Sequence, residues 1–123
     1  MKVRIYHNPS CSTSRKVLGM LRDHGIEPEI VEYLKTPPDR ETLARLVAET
    51  GAPVRSILRR KAPPYAELQL DDAKWTDDQL LDLMAANPIL IERPIVVAPG
   101  GTRLCRPPET VLELIGAAAA DRR

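Results

Sequence analysis

The segment VRIYHNPSCSTSRKVLGMLRDHGIEPEIVEYL, residues 3–34, has the pattern of a strand, a helix and a second strand. Residues 2–6 alternate between apolar and basic side chains, which predicts a short strand. Apolar positions fall on one helical face over residues 12–24, and Gly25 follows as a stop signal. Residues 29–34 are rich in β-branched and aromatic side chains. Because a helix connects them, the two strands are predicted to lie parallel in a βαβ unit.

A helical insertion is predicted over about residues 37–90. Asp39 is a suitable N-cap for its first helix, and a short helix is expected over residues 54–60. The two prolines at residues 63–64 are typical of a loop. The sequence TDDQ at residues 76–79 has the form of a capping box, which predicts the start of another helix. The middle of the chain is therefore predicted to be all-helical.

The remainder of the chain predicts a hairpin and a last helix. Residues 95–98 and 102–105 are strand-like and flank the turn sequence PGG at residues 99–101. Pro108 suits the first turn of the last helix, and the tail over residues 117–123 is expected to fray. The order βαβ, helical insertion, ββα predicts an α/β fold with a mixed sheet covered by helices.

Length and composition favour a single domain over residues 1–123. A chain of 123 residues, 43% hydrophobic and 28% charged, is long enough for one core and short for two. The net charge of +1 predicts neither nucleic-acid nor membrane binding. No apolar run approaches the roughly 20 residues that span a bilayer, and the N-terminus lacks the features of a signal peptide. We expect a cytoplasmic protein that acts as a monomer.

Cys11 lies in the loop between the first strand and the first helix, among small polar residues. A free cysteine often packs as a small apolar residue, but strand-to-helix loops lie at the surface and hold the ligand sites of α/β folds. The unpaired N–H groups and the dipole of a helix start favour a thiolate, with a pKa as low as ~3.5–7.5 in known cases. His7 and Arg15 are close in sequence and can add positive charge, and the same N–H groups suit a tetrahedral oxyanion. The position predicts an accessible, reactive thiol.

Residue spacing excludes two kinds of cysteine chemistry and predicts no metal site. A Cys-x-x-Cys dithiol would need a second cysteine where Ser14 stands. A cysteine phosphatase loop, Cys-x5-Arg, would need an arginine where Val17 stands. The two cysteines and two histidines are scattered, without the paired spacing typical of zinc ligands. A single activated thiol beside an anion site is the interpretation that remains.

Four segments carry the most specific motifs of the chain. They are IYHNPSCSTSRKVLGMLRDHGIEP, PVRSILRRK, WTDDQLLDLMAANPILIERPIVV and GTRLCRPPETVLELI. Together they resemble the thioredoxin-fold arsenate reductases that depend on glutathione and glutaredoxin, and the resemblance extends from about Val3 to Ile115. It implies a thioredoxin-like, more narrowly glutaredoxin-like, sheet and the reduction of arsenate to arsenite.

The resemblance implies catalytic and oxyanion-binding roles. Cys11 matches the nucleophile, and His7 matches the histidine that tunes it. Arg59, Arg93 and Arg106 match three arginines that gather around the oxyanion. Arginine suits this role because its planar guanidinium donates several hydrogen bonds in a fixed geometry.

Three further residues are expected to support the site. Ser14 is expected to donate a hydrogen bond to the thiolate, and Arg15 to supply a nearby positive charge. Pro94 matches the cis proline that thioredoxin-like folds place beside the active site. Cys105 is expected to be structural and not a resolving thiol, and Arg60 is expected to be a surface arginine outside the site.

In the reaction that the resemblance implies, the thiolate forms a Cys–S–arsenate adduct, glutathione attacks it, and glutaredoxin removes the glutathione as arsenite leaves. Arsenate, glutathione and glutaredoxin are the implied partners, and no metal or tightly bound organic cofactor is expected. Two alternatives stay open. One is a regulatory module of the Spx type that binds RNA polymerase, and the other is a monothiol reductase with another substrate, such as a glutathionylated protein.

Overall fold

In the computed structural model of the chain, the first two strands lie side by side and parallel, as the βαβ pattern predicts. The structure describes residues 2–120, and the side chains of residues 2–116. These residues form two units. The sheet unit comprises the residues up to Thr36 and from Arg93 onward, and the helical unit comprises Pro37–Glu92. The helical unit corresponds to the predicted insertion, while the single-domain organisation stays a prediction.

The sheet has four strands in the order β2-β1-β3-β4. The elements in chain order are β1 (Arg4–His7), α1 (Ser12–Asp23), β2 (Glu29–Glu32), α2 (Arg40–Thr50), α3 (Pro63–Glu67), α4 (Asp77–Ala86), β3 (Ile95–Ala98), β4 (Gly101–Leu104) and α5 (Thr110–Ala120), with short 3-10 helices at Val54–Ile57 and Pro88–Leu90. Strand β1 is antiparallel to β3, and β3 is antiparallel to β4. The predicted α/β class with a mixed sheet is therefore confirmed.

Local sequence signals account for the end of α1 and for the hairpin. Gly25, just after α1, has a φ of 74°, which glycine adopts without steric cost. Ala98 and Gly101 pair across the hairpin, so the turn is one residue shorter than predicted and consists of residues 99–100. Helix α5 runs to Ala120, and the fraying expected over residues 117–123 stays a prediction. Residues 121–123 of that predicted tail lie outside the described residues.

In the helical unit, two predicted caps are confirmed and one predicted loop is wrong. The Asp39 carboxylate accepts a hydrogen bond of 2.7 Å from the Thr42 N–H. Thr76 and Gln79 form the predicted capping box. The prolines at residues 63–64 open α3 instead of forming a loop. Proline is tolerated there because the N–H group that it lacks would have no partner in the first turn of a helix.

The short helix predicted over residues 54–60 is only a 3-10 turn, Val54–Ile57. Leu58 then pairs with Ile91 in an isolated antiparallel bridge. The Arg59 N–H donates to the Leu90 carbonyl oxygen at 2.8 Å. The chain is extended after the turn because its backbone groups bond to the segment at residues 90–91 and not to one another within a helix.

Helices α1 and α5 pack on one face of the sheet. Ile5 and Val96, paired across β1 and β3, are fully buried there. The core of the sheet unit consists of Val3, Ile5, Val17, Leu18, Leu21, Ile26, Val96, Cys105, Val111, Leu114 and Ile115. This packing holds α1 against β1 and so fixes the position of the loop between them.

Ile5→Ala should lower the free energy of unfolding by about 2–5 kcal/mol, because it leaves a cavity in this core. Ile30 provides a matched control, since it is the parallel partner of Ile5 in β2 but is 38% exposed. Ile30→Ala should cost about 1 kcal/mol or less. Urea unfolding measures both changes, and equal losses would contradict the packing described here.

Candidate active site

Strand pairing brings the ends of three strands to one edge of the sheet. Tyr6 lies opposite Ile95 in the β1–β3 pair, and Ile95 lies opposite Leu104 in the hairpin. Because both pairs are antiparallel, the end of β1 lies beside the start of β3 and the end of β4. The loop after β1 therefore meets Arg93, which precedes β3, and Arg106, which follows β4.

Cys11 is the N-cap residue of α1. Its backbone is extended, with φ −95° and ψ 122°, and its carbonyl oxygen accepts a 3.0 Å hydrogen bond from the Arg15 N–H. The residue is only 8% exposed, whereas its neighbours Pro9 and Ser10 are exposed. The prediction of an accessible thiol was therefore wrong, because the side chain lies toward the ends of the hairpin and not toward solvent.

Two of the three predicted arginines contact Cys11. Arg106 Nη1 lies 3.9 Å from the Cys11 Sγ and donates to the Arg93 carbonyl oxygen at 3.3 Å. The Arg93 side chain also hydrogen-bonds to the sulfur. The Arg93–Pro94 peptide bond is cis, which is the geometry that the resemblance implies, and the Arg106–Pro107 bond is cis as well. Two guanidinium groups therefore lie beside one sulfur atom.

The pKa of the Cys11 thiol is lower than its ordinary value. Burial raises this pKa, but hydrogen bonds and positive charge together outweigh the effect of burial. The contributions that lower it come first from the Ser14 backbone N–H, then from the charge and hydrogen bond of Arg93 and from the Thr13 backbone N–H. Ser14 and Thr13 belong to the first turn of α1, whose N–H groups have no partner within the helix. This is the effect that the sequence predicts for a thiol at a helix start.

The hydroxyl of Ser14 takes part in a different contact. Its Oγ lies 2.6 Å from His7 Nδ1 and accepts a hydrogen bond of 3.1 Å from the Asn8 N–H. His7, Asn8 and Ser14 are all buried. Ser14 was predicted to donate a hydrogen bond to the thiolate, and the group of Ser14 that acts on the Cys11 sulfur is its backbone N–H.

His7 does not supply the positive charge that its proximity to Cys11 predicted. Burial lowers the pKa of His7 and outweighs the raising effect of Glu32. The imidazole is therefore neutral at pH 7. Arg15 is exposed, and its Nη1 donates to the Pro9 carbonyl oxygen at 2.9 Å. The positive charge beside the sulfur comes from the hairpin arginines.

The third predicted arginine, Arg59, belongs to the helical unit. Its Nε is buried and has no hydrogen-bond partner among the residues that the structure describes. A buried donor without a partner costs about 1–3 kcal/mol, so this guanidinium is suited to an acceptor that is not part of the chain. The adjacent Arg60 is exposed, as predicted.

The second thiol, Cys105, differs from the first in both burial and charge. It is fully buried in the core of the sheet unit, and burial raises its pKa to about 12. A thiol with this pKa is protonated at neutral pH and is a poor nucleophile. Cys105 is therefore a core residue, in agreement with the sequence-based interpretation.

Over residues 2–120, the structure contains no group of three or more histidine, cysteine or carboxylate side chains arranged to hold a metal ion. Nor does this part of the chain contain a helix that is long and apolar enough to cross a membrane.

Sequence analysis did not single out two residues that shape this site. Thr13 contributes a backbone N–H to the sulfur, and the position of the helix start is the signal that identifies it. Asn8 hydrogen-bonds to Ser10 and Ser14, and its position directly after a strand is typical of a turn-forming asparagine. The site thus combines a sulfur of lowered pKa with two guanidinium groups, those of Arg93 and Arg106.

Cys11 should be alkylated at a lower pH than an ordinary thiol. A lowered pKa means that the reactive thiolate persists as the pH falls, so the half-maximal rate of reaction with iodoacetamide should lie below about pH 8.5. Cys105→Ala should leave this profile unchanged, and Cys11→Ser should abolish the reaction of the folded protein. A half-maximal rate at or above pH 8.5 would show that the thiol is not activated.

Comparison with known proteins gives a consistent result over most of the chain. The pattern of the ArsC family matches residues 6–114. The arsenate reductase of Escherichia coli (strain K12) is 56% identical over 113 residues, which cover 92% of this chain and 80% of that protein. The arsenate reductase of Rhizobium meliloti (strain 1021) is 56% identical over 115 residues, which cover 94% of this chain and 82% of that protein.

A solved structure extends the likeness to the fold. The arsenate reductase from Vibrio cholerae matches with a TM-score of 0.88 at 50% sequence identity, covering 93% of this chain and 98% of that one. The thioredoxin-like fold class predicted from the sequence is thereby confirmed. The family match over residues 6–114 covers most of the chain, and the protein belongs to the ArsC family.

Proposed function

We propose that this protein reduces arsenate to arsenite, with Cys11 as the nucleophile and with glutathione and glutaredoxin as the source of electrons. One observation carries the proposal. The Cys11 thiol has a lowered pKa, its Sγ lies 3.9 Å from Arg106 Nη1, and the charge and hydrogen bond of Arg93 also act on it. The two cations can bind an oxyanion that would otherwise repel the thiolate. Relatives of this chain carry the name arsenate reductase, which supports arsenate as the oxyanion.

In the first step, the Cys11 thiolate attacks the arsenic atom. A sulfur–arsenic bond forms, one arsenate oxygen is protonated and leaves as water, and arsenic stays As(V) in a Cys–S–arsenate adduct. Arg93 and Arg106 bind the remaining oxygens and stabilise their charge. The lowered pKa of Cys11 increases the rate because it increases the fraction of thiolate at neutral pH.

The electrons arrive in the second stage. Glutathione condenses with the adduct, forming a second arsenic–sulfur bond and releasing water. The glutaredoxin thiolate then attacks the glutathione sulfur, and the electron pair of the broken arsenic–sulfur bond reduces arsenic to As(III). Hydrolysis of the Cys11–arsenic bond releases arsenite. A second glutathione regenerates glutaredoxin, so one arsenate and two glutathione give one arsenite, one glutathione disulfide and one water.

The supporting residues take roles that follow from their contacts. His7 acts through Ser14, because its neutral imidazole binds the Ser14 hydroxyl and so keeps the first turn of α1 in place for the sulfur. For Arg59, we propose the oxyanion-binding role that the resemblance implies. This role is supported by its buried Nε, which has no partner among the described residues, and by the resemblance. Arg15 stabilises the loop through its bond to Pro9.

Glutathione acts here as a co-substrate, so the proposed sequence requires no tightly bound cofactor. The reaction suits the cytoplasm, where thiols and glutathione are kept reduced. We propose that the protein works there as a monomer.

The activity should appear as arsenate-dependent NADPH oxidation in an assay coupled through glutathione, glutaredoxin and glutathione reductase, with one NADPH consumed per arsenate. Cys11→Ser should lower kcat at least about 100-fold, because it removes the nucleophile. Cys105→Ala is the control and should change kcat by about twofold or less. Absence of arsenate-dependent turnover, or full turnover by Cys11→Ser, would contradict the proposal. Turnover of a glutathionylated protein without turnover of arsenate would support the alternative of a monothiol reductase.

Arg93→Ala, Arg106→Ala and Arg59→Ala should each lower kcat/KM for arsenate about 10- to 100-fold. Each removes a charge-assisted hydrogen bond to the oxyanion, and such bonds contribute about 1.5–3 kcal/mol. Arg60→Ala is the matched control, since Arg60 is adjacent to Arg59 but exposed, and it should change kcat/KM by about twofold or less. Circular dichroism checks that each variant folds. An equal loss of kcat/KM in Arg60→Ala would show that the loss reflects the change in net charge and not the binding of the oxyanion by particular arginines.

A further inference from the structure

We propose that Asn8 is a positioning residue for Cys11. Asn8 fixes the loop between β1 and α1 so that the Cys11 sulfur faces the N–H groups of α1 and not those of the loop. Asn8 is 8% exposed and does not touch the Cys11 sulfur through any contact that the described residues show. The proposal deepens the proposed function at the same site, and its kinetic part rests on that function.

Asn8 makes hydrogen bonds with both its backbone and its side chain. Its Oδ1 accepts from the Ser10 N–H at 2.9 Å, and its carbonyl oxygen accepts from the Cys11 N–H at 3.0 Å. Its own N–H donates to the Ser14 Oγ at 3.1 Å. One residue therefore binds the loop, the cysteine and the first turn of α1 together.

These bonds decide which N–H groups are available to the sulfur. The N–H groups of Ser10 and Cys11 are both taken by Asn8, so neither can serve a thiolate or a bound anion. The N–H groups of Thr13 and Ser14, in the first turn of α1, remain for the sulfur. In phosphate-binding loops, by contrast, successive loop N–H groups surround the anion. Here the Ser10 and Cys11 N–H groups are occupied, and the proposed contacts to the oxyanion come from the arginine side chains.

The chemistry of the side chain explains why asparagine suits this position. An asparagine oxygen reaches the backbone N–H two residues on, a serine hydroxyl does so more weakly, and alanine has no acceptor. Ser10 is exposed, so water can replace the lost bond in an alanine variant. The main consequence of that change is therefore a less ordered loop around Cys11, with little loss of global stability.

The test compares Asn8→Ala with Asn8→Ser by iodoacetamide alkylation of Cys11 against pH. Asn8→Ala should raise the pKa of Cys11 by about half a unit to one unit, which slows alkylation about three- to tenfold at a pH below both pKa values. Asn8→Ser should restore at least half of that shift. Asp72→Ala is a matched control, because Asp72 Oδ1 accepts the same kind of bond, 2.9 Å from the Lys74 N–H, in the helical unit. It should leave the alkylation profile unchanged.

Steady-state kinetics and thermal melting complete the experiment, and melting checks that Asn8→Ala loses little global stability. Asn8→Ala should lower kcat while KM for arsenate changes by about twofold or less, because Asn8 does not bind the oxyanion. A wild-type alkylation profile in Asn8→Ala would overturn the proposal. So would an Asn8→Ser variant as impaired as Asn8→Ala, or a raised KM with an unchanged Cys11 pKa. Alkylation requires neither arsenate nor glutathione, so this result stands apart from the outcome of the coupled assay.

Discussion

The site depends on holding one negative charge, the Cys11 thiolate, largely out of water. A buried charge without partners costs several kcal/mol, and a cysteine that is 8% exposed would otherwise stay protonated. The structure offsets this cost with the Ser14 and Thr13 N–H groups and with Arg93. Each of these groups lowers the pKa of the Cys11 thiol and so favours the thiolate over the neutral thiol.

The arrangement of the sheet is what brings these groups together. Strand β3 lies between β1 and β4, so the residues on either side of the hairpin meet the loop that follows β1. The helix N–H groups and Arg93 act together on the sulfur. In the proposed reaction, Arg93 and Arg106 also bind the oxyanion, so that one site holds a nucleophile and an anion that would repel each other in water.

The parts of the fold that were predicted correctly are those with local causes. The caps at Asp39 and Thr76 were identified because the bonds of a cap join residues three apart. The loop predicted at residues 63–64 is a helix start, because a proline pair is compatible with either a loop or a helix start and only the following residues decide. The charge of His7 was also misjudged. Its protonation depends on burial, which the sequence around it does not encode.

For the site, local sequence was enough to identify Cys11 as the candidate nucleophile and to identify the N–H groups that lower its pKa. Cys11 and the first turn of α1 are neighbours in the chain, so a strand followed by a helix is enough to place them together. The tertiary structure alone decided that Cys11 is buried and that Arg93 and Arg106 reach it. Arg106 is 95 residues away along the chain, and its approach requires two antiparallel strand pairings. Desolvation and charge act through space, so they change the pKa of Cys11 only after these strand pairings have formed.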